Sequence, residues 1–242
     1  MSKVQTLLMA TDYSVAVMNA EHYAVQMAKN EDCYLRFLHV FQPPIADQVG
    51  SFDAGKIDSA PAMDELRKLK IHVSKLMQSM GVKPGEVKYE CLVREGGVAG
   101  QIIDEAKESY PDFILMGTHG ESGFREFILG SHTWKVIKKG GIPVLALPKD
   151  AYYCGFKKIV YATEYREGEL PVINFLTQLA SRYRARVTVL HITANMFSEE
   201  FEKKLSSDFM HEVRDRITYP QLELKVLHAT NVINGVEGFN ER

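Results

Sequence analysis

The sequence predicts an α/β fold: an open, parallel, five-stranded sheet with helices on both faces, followed by a partial second copy of the same unit. Three observations carry this. Strand-like and helix-like segments alternate through the first 150 residues. Three of the strand segments are nearly continuous apolar runs, as strands covered on both faces must be. Finally, Ala10-Thr11-Asp12-Tyr13 at the end of the first strand is echoed by Ala162-Thr163-Glu164-Tyr165.

In chain order, the first strand is Val4–Ala10, and apolar residues at helical spacing place a helix over Val15–Lys29. A second strand, Tyr34–Val40, leads into a polar loop with Pro43, Pro44, Gly50 and Gly55, then a helix over Pro61–Met80. The third strand is Val87–Val93, and the third helix, Val98–Glu108, stops before Pro111. The fourth strand, Asp112–Met116, opens a glycine-bearing loop into a helix over Ser131–Lys139. The fifth strand, Ile142–Leu147, ends at Pro148. Strands joined by helices run parallel with right-handed crossovers. Such sheets bind ligands beyond the C-terminal strand ends, where the strand order reverses.

The echo extends further. Leu38-His39-Val40 is matched by Leu190-His191-Ile192, and 28 positions separate Ala10 from Leu38 and Ala162 from Leu190 alike. A repeat of this length indicates duplicated domains rather than a solenoid. The expected domains are residues 1–148 and 156–242, joined by a linker over about Lys149–Gly155. The second copy continues with a helix over Glu199–Ile217 and a strand over Leu222–His228. Its later elements, roughly 40–50 residues by repeat arithmetic, have no counterpart before Arg242.

Composition narrows the function classes. A net charge of −2 gives no electrostatic reason for binding nucleic acid or an anionic membrane. Cys33, Cys91 and Cys154 are odd in number and widely spaced, so reduced thiols are expected, mostly packed in cores, rather than disulfides or a zinc site. No apolar run approaches the roughly 18 residues of a membrane span, and no signal peptide is evident, so a cytoplasmic location is the default expectation.

The segment richest in chemistry runs from Gly117 to Ser131. Glycines let backbone approach a ligand closely. The first N–H groups of the following helix lack intrahelical partners and lie at the positive end of its dipole. Together these suit a phosphate. Ser131 is placed either to cap that helix or to bind a phosphate oxygen. From the pattern alone, a plain strand-to-helix loop with turn glycines reads the same way.

Gly117, Gly120, Gly130 and Ser131 fit G-x2-G-x9-G-[ST], and in this the chain resembles the universal stress protein family. Ala10-Thr11-Asp12-Tyr13-Ser14, Leu38-His39-Val40 and Pro143-Val144-Leu145 resemble that family's first, second and last strand landmarks. The resemblance spans residues 1–148 fully and 156–240 in part. It implies a strand order of 3-2-1-4-5, with Asp12 and Gly117 flanking one crevice. By analogy with ATP-binding members, Val40 would offer backbone bonds to adenine, and Asp12, beside Thr11, would hold the nucleoside end. Gly117 would border the ribose, while Gly120, Gly130, Ser131 and His132 would give backbone contacts to phosphates. His119 would shape the loop or face a phosphate. The ligand would be ATP, or ADP or AMP, with Mg2+ bridging phosphates. The family commonly pairs last strands between two domains, within one chain in tandem copies; with no second-copy partner for Ile142–Leu147 before Arg242, the resemblance implies a homodimer through that strand. Glu121 departs from the small or basic residue usual at its place.

Other features have blander readings. Gly50–Ile57 nearly spells a P-loop, but Ile57 stands where Ser or Thr must meet magnesium. His39 and His191 lack metal-ligand spacing and are expected to be packed, hydrogen-bonded histidines. Trp134 is expected to be buried against the sheet. The lysines of 135–139 suit a helix C-terminus. Ser131 has no identifiable triad partners, and Arg94 and Glu95 stand where a phosphoacceptor aspartate would. The expected function is an ATP-binding stress-response regulatory module, not an efficient enzyme. The alternatives are a slow ATPase or phosphotransferase, and a nucleotide-independent interaction protein.

Overall fold

A computed structural model describes residues 5–42, 60–118, 129–166, 168–193, 199–229, 234–235 and 238–239. The chain divides into two compact units, Met1–Tyr153 and Cys154–Arg242.

The first unit holds β1 (Thr6–Thr11), α1 (Val15–Glu31), β2 (Tyr34–Phe41), α2 (Ala60–Ser79), β3 (Lys88–Glu95), α3 (Val98–Ser109), β4 (Phe113–Gly117), α4 (Ser131–Lys139) and β5 (Val144–Leu147). All pairings are parallel and the order is β3-β2-β1-β4-β5, with the reversal between β1 and β4. The period-2 alternation of strands sorts the side chains into two faces. Leu8, Leu38, Ile114 and Met116 pack against Ile102, Ile103 and Ala106 of α3 and Val136 of α4. The alternate residues Leu7, Met9, Leu35, Phe37 and Leu115 are fully buried on the other face, where α1 and α2 pack. Ala20, Ala24 and Ala28, one helical turn apart, let α1 lie close to β1 and β4.

Helix ends follow local chemistry. α1 stops at Asp32 and α3 at Tyr110, both in the left-handed region, each returning its N–H to a carbonyl four residues back. α4 departs from expectation at Trp134, which is 56% exposed. That helix turns Thr133 and Val136 inward, and 134 and 137 fall on its outer side. Arg94 and Glu95 belong to β3 itself.

The second unit comprises β6 (Lys158–Thr163), α5 (Leu170–Tyr183), β7 (Arg186–Thr193), α6 (Glu199–Arg216) and β8 (Leu222–His228). Its parallel sheet, β6-β7-β8, reproduces the β1-β2-β3 half of the first. Thr163 pairs with His191 as Thr11 pairs with His39. Ile173, Val189, Phe209, Met210 and Val213 form its core. No described helix is long and apolar enough to cross a membrane.

Candidate functional site

The end of β1 is a tightly specified turn. Tyr13 adopts φ 65°, a left-handed conformation costly for an aromatic residue. Three contacts hold it. Its N–H donates to the Thr11 hydroxyl at 3.1 Å. Its ring stacks on His39 with centroids 4.3 Å apart, and tilts against His72 at 5.1 Å. The His39 Nδ1–H donates to the Thr11 carbonyl at 2.9 Å, so the last carbonyl of β1 is satisfied by a side chain of β2. The turn leaves Asp12 exposed, its Oδ1 accepting the Ser14 N–H at 2.9 Å. Burial, then the negative charge of Glu65, pushes the Tyr13 phenol well above its ordinary range, so it stays protonated.

β4 ends on the other side of the reversal at Gly117. A Cβ there would lie 3.3 Å from the Ala16 carbonyl and 3.4 Å from the Val17 Cα, a tight approach that glycine avoids. The Thr133 hydroxyl donates to the Gly117 carbonyl at 3.3 Å, drawing the first turn of α4 to the same point. Gly130 is the N-cap of α4, and neither it nor Ser14 at α1 contributes a side-chain cap bond. No acidic side chain stands in either first turn. Two positive helix ends therefore begin near the crevice, a setting favourable to an anion. Ser131 and His132 are exposed at the start of α4. Val40 lies one residue past the last β1–β2 pair and still pairs with Arg94 of β3.

Thr11, Asp12, Gly117, Gly130, Ser131 and His132 are thus carried by three segments joined through Gly117, with Val40 at the end of the neighbouring strand. His119, Gly120 and Glu121 lie outside the described residues, as does Gly50–Ile57. Among the described residues no histidine or carboxylate bonds the Ser131 hydroxyl, and no three His, Cys, Asp or Glu side chains cluster to hold a metal. Glu21 and His72 escaped the sequence reading. Glu21 accepts the Thr11 hydroxyl at 2.5 Å and the His72 Nε2–H at 2.8 Å. The available signal was a lone carboxylate beside the inward alanines of α1.

The second unit repeats the turn. Tyr165, at φ 58°, stacks on His191 at 4.2 Å, and His191 Nδ1–H donates to the Thr163 carbonyl at 2.9 Å. Both histidines are therefore packed and hydrogen-bonded, as expected. The Asp12 position holds Glu164, whose carboxylate pairs with Arg166. Cys33 is buried, Cys91 half-buried and Cys154 exposed, and no disulfide joins them.

Comparison with known proteins adds the family. Residues 3–148 match the model of the Universal stress protein family. A universal stress protein of Methanocaldococcus jannaschii is 28% identical over 143 residues, 59% of this chain and 81% of the relative. One of Bacillus subtilis is 31% identical over 144 residues, 57% of this chain and 95% of the relative. The solved structure of a universal stress protein from Archaeoglobus fulgidus covers 97% of this chain and 84% of its own, with TM-score 0.69 and 16% identity, a likeness of fold.

Proposed function

Since the chain belongs to the universal stress protein family, we propose that its first unit binds an adenine nucleotide in the crevice between the ends of β1 and β4 and acts as a stress-response regulatory module. The observation that carries this is the convergence at Gly117: one glycine touches the start of α1 and, through Thr133, the start of α4. A phosphate chain placed there meets two helix N-termini and backbone that approaches without side chains. In this reading residues 1–148 are the nucleotide-binding domain and residues 156–242 an incomplete second copy.

The ligand is ATP, ADP or AMP. Asp12, exposed and fixed by Ser14, bonds the nucleoside end from beside Thr11. Val40 offers backbone groups to adenine, and Gly117 borders the ribose. Gly120, Gly130, Ser131 and His132 contact phosphates, with His119 in the same loop. Mg2+ is held by the phosphates rather than by a protein cage. Bound nucleotide shifts conformation or partner affinity in the cytoplasm. Analysis of a denatured extract for copurified adenine nucleotide tests the reading, and a turnover assay with Mg2+ separates a binding module from a slow ATPase. A folded, nucleotide-free protein that ignores millimolar ATP would leave the interaction-protein alternative.

The partner is a second copy paired through β5. That strand is a sheet edge, and edges invite pairing. Trp134 and Ile137, exposed on the neighbouring α4, add apolar surface beside it. Sedimentation at micromolar concentration should return a dimer; a monomer would count against this partner.

A further inference from the structure

Glu21 stands on the inward face of α1, 1% exposed. A carboxylate so placed requires strong donors. It receives the Thr11 hydroxyl of β1 at 2.5 Å and the His72 Nε2–H of α2, which lies 2.8 and 2.9 Å from its two oxygens. A hydroxyl has one proton to give. With that proton on Glu21, a Thr11 lone pair is turned to the Tyr13 N–H at 3.1 Å, the bond that holds the left-handed turn. His72 also meets the Tyr13 ring directly, at 5.1 Å. Two short paths therefore join α2 to the turn that presents Asp12.

The second unit provides an internal contrast. Thr163 also donates to a glutamate and accepts the Tyr165 N–H, at 2.9 Å. That glutamate is Glu169, six positions on, whereas Glu21 lies ten positions from Thr11. The same bond is built from non-equivalent places, so the turn is what it serves. Where His72 stands against Tyr13, however, Phe209 stands against Tyr165, at 5.1 Å. His39 and His191 are common to the two turns, so the contrast lies at this one place, where the first turn meets an imidazole and the second a phenyl ring.

We propose that Glu21 and His72 are positioning residues for the nucleotide site, fixing the Thr11–Tyr13 turn, and that protonation of His72 tightens their hold. The inference rests on the nucleotide reading above. The bond from His72 to the Glu21 carboxylate has one charged partner while the imidazole is neutral and two once it is protonated, which anchors α2 and the turn more firmly. Among the described residues, the other titratable groups at the turn are Tyr13 itself, His39 of β2 stacked on it, Glu65 of α2 and Cys91 of β3, which act on its phenol, and Lys68 of α2, bonded to Glu65; Asp12 precedes Tyr13 in the chain. Glu65 is already bonded to Lys68 at 2.7 Å and lies 3.7 Å from the His39 Nε2. The central pair is therefore Glu21 with His72.

The test uses the full chain, isotopically labelled and free of nucleotide, titrated by NMR from about pH 8 to about pH 5.5, where an imidazole gains its proton. The Tyr13 and Ser14 amide signals should move with the His72 ring signals, sharing one midpoint, and should stop doing so in His72→Gln. Amides that ignore His72 overturn the proposal whether or not nucleotide binds. In parallel, ADP affinity is measured at both ends of the range. Wild type should gain about fivefold on acidification relative to Glu21→Gln and His72→Gln; titration of ADP itself is common to all three proteins and cancels. A pH dependence that survives unchanged in both variants overturns the proposal. Coupled amides in a wild type that binds no ADP would support the turn device and overturn the nucleotide reading instead.

Discussion

The Thr133 hydroxyl donates to the Gly117 carbonyl at 3.3 Å, so the first turn of α4 is tied to the last residue of β4. Because a Cβ at Gly117 would also crowd Ala16 and Val17, the end of β4 and the starts of two helices meet around one glycine. The candidate site stands on that junction.

Gly130 immediately precedes α4 with φ −55° and ψ 146°, an extended conformation open to any residue. Gly130→Val should therefore keep the fold, at a cost of about 1 kcal/mol for an unfavourable N-cap. Its branched side chain would occupy the place of a phosphate oxygen. Binding of ATP, ADP and AMP should fall out of calorimetric range while the circular dichroism spectrum is retained. Unchanged affinity in the folded variant would remove the phosphate site from α4.

Asp12→Ala removes an exposed carboxylate whose recorded bond is to the Ser14 N–H. The stability change should be about 1 kcal/mol or less. Affinity should drop similarly for ATP, ADP and AMP, which share the nucleoside. A drop confined to ATP, seen in competition titrations, would move Asp12 to the phosphate end.

The strands and helices of the first unit were legible because their apolar periodicities are strong, and their ends shifted by only one or two residues. β1, for example, runs on to Thr11, where pairing with His39 continues. The strand order was not legible from periodicity, which is local; it came from the family resemblance. Helix α5 was not assigned from the sequence, although Pro171 stands in its first turn. Trp134 was misplaced because size argues for burial, while a helix of nine residues turns only one narrow face inward. Glu21 and His72 were invisible for another reason: 51 residues separate them, and only the packing of α1 beside α2 brings them together.

The α3 face carries an ion cluster that should contribute to stability. Glu105, with its side chain 4% exposed, bonds Arg36 at 3.0 Å and Arg94 at 2.6 Å. Glu105→Ala would leave two half-buried guanidiniums without that partner and should destabilise the first unit by about 2–4 kcal/mol. Urea unfolding measures this, and a change below about 0.5 kcal/mol would show that water replaces the carboxylate.

Burial pushes the Cys91 thiol up to about 11, with Lys70 opposing and Glu90 reinforcing the shift. The thiol of the unfolded chain ionises near 8.5. Keeping it neutral therefore favours the fold fully below about pH 8.5, and this contribution is lost as pH rises toward 11. Unfolding measured between those limits should show a decline that Cys91→Ala reduces. At neutral pH, alkylation should reach exposed Cys154 well before Cys91. Equal labelling of both thiols in the folded protein would contradict the burial argument.

The expected stoichiometry is one adenine nucleotide per chain, held by the first unit. In the second unit the carboxylate at the strand exit is Glu164, longer than Asp12 and already paired with Arg166, so an equivalent nucleoside contact is not expected. Isothermal titration of nucleotide-free protein with ADP and Mg2+ measures this stoichiometry. One site per chain is expected, lost in Gly130→Val and weakened in Asp12→Ala. Two equivalent sites per chain, or no heat at millimolar ADP from a folded protein, would contradict it.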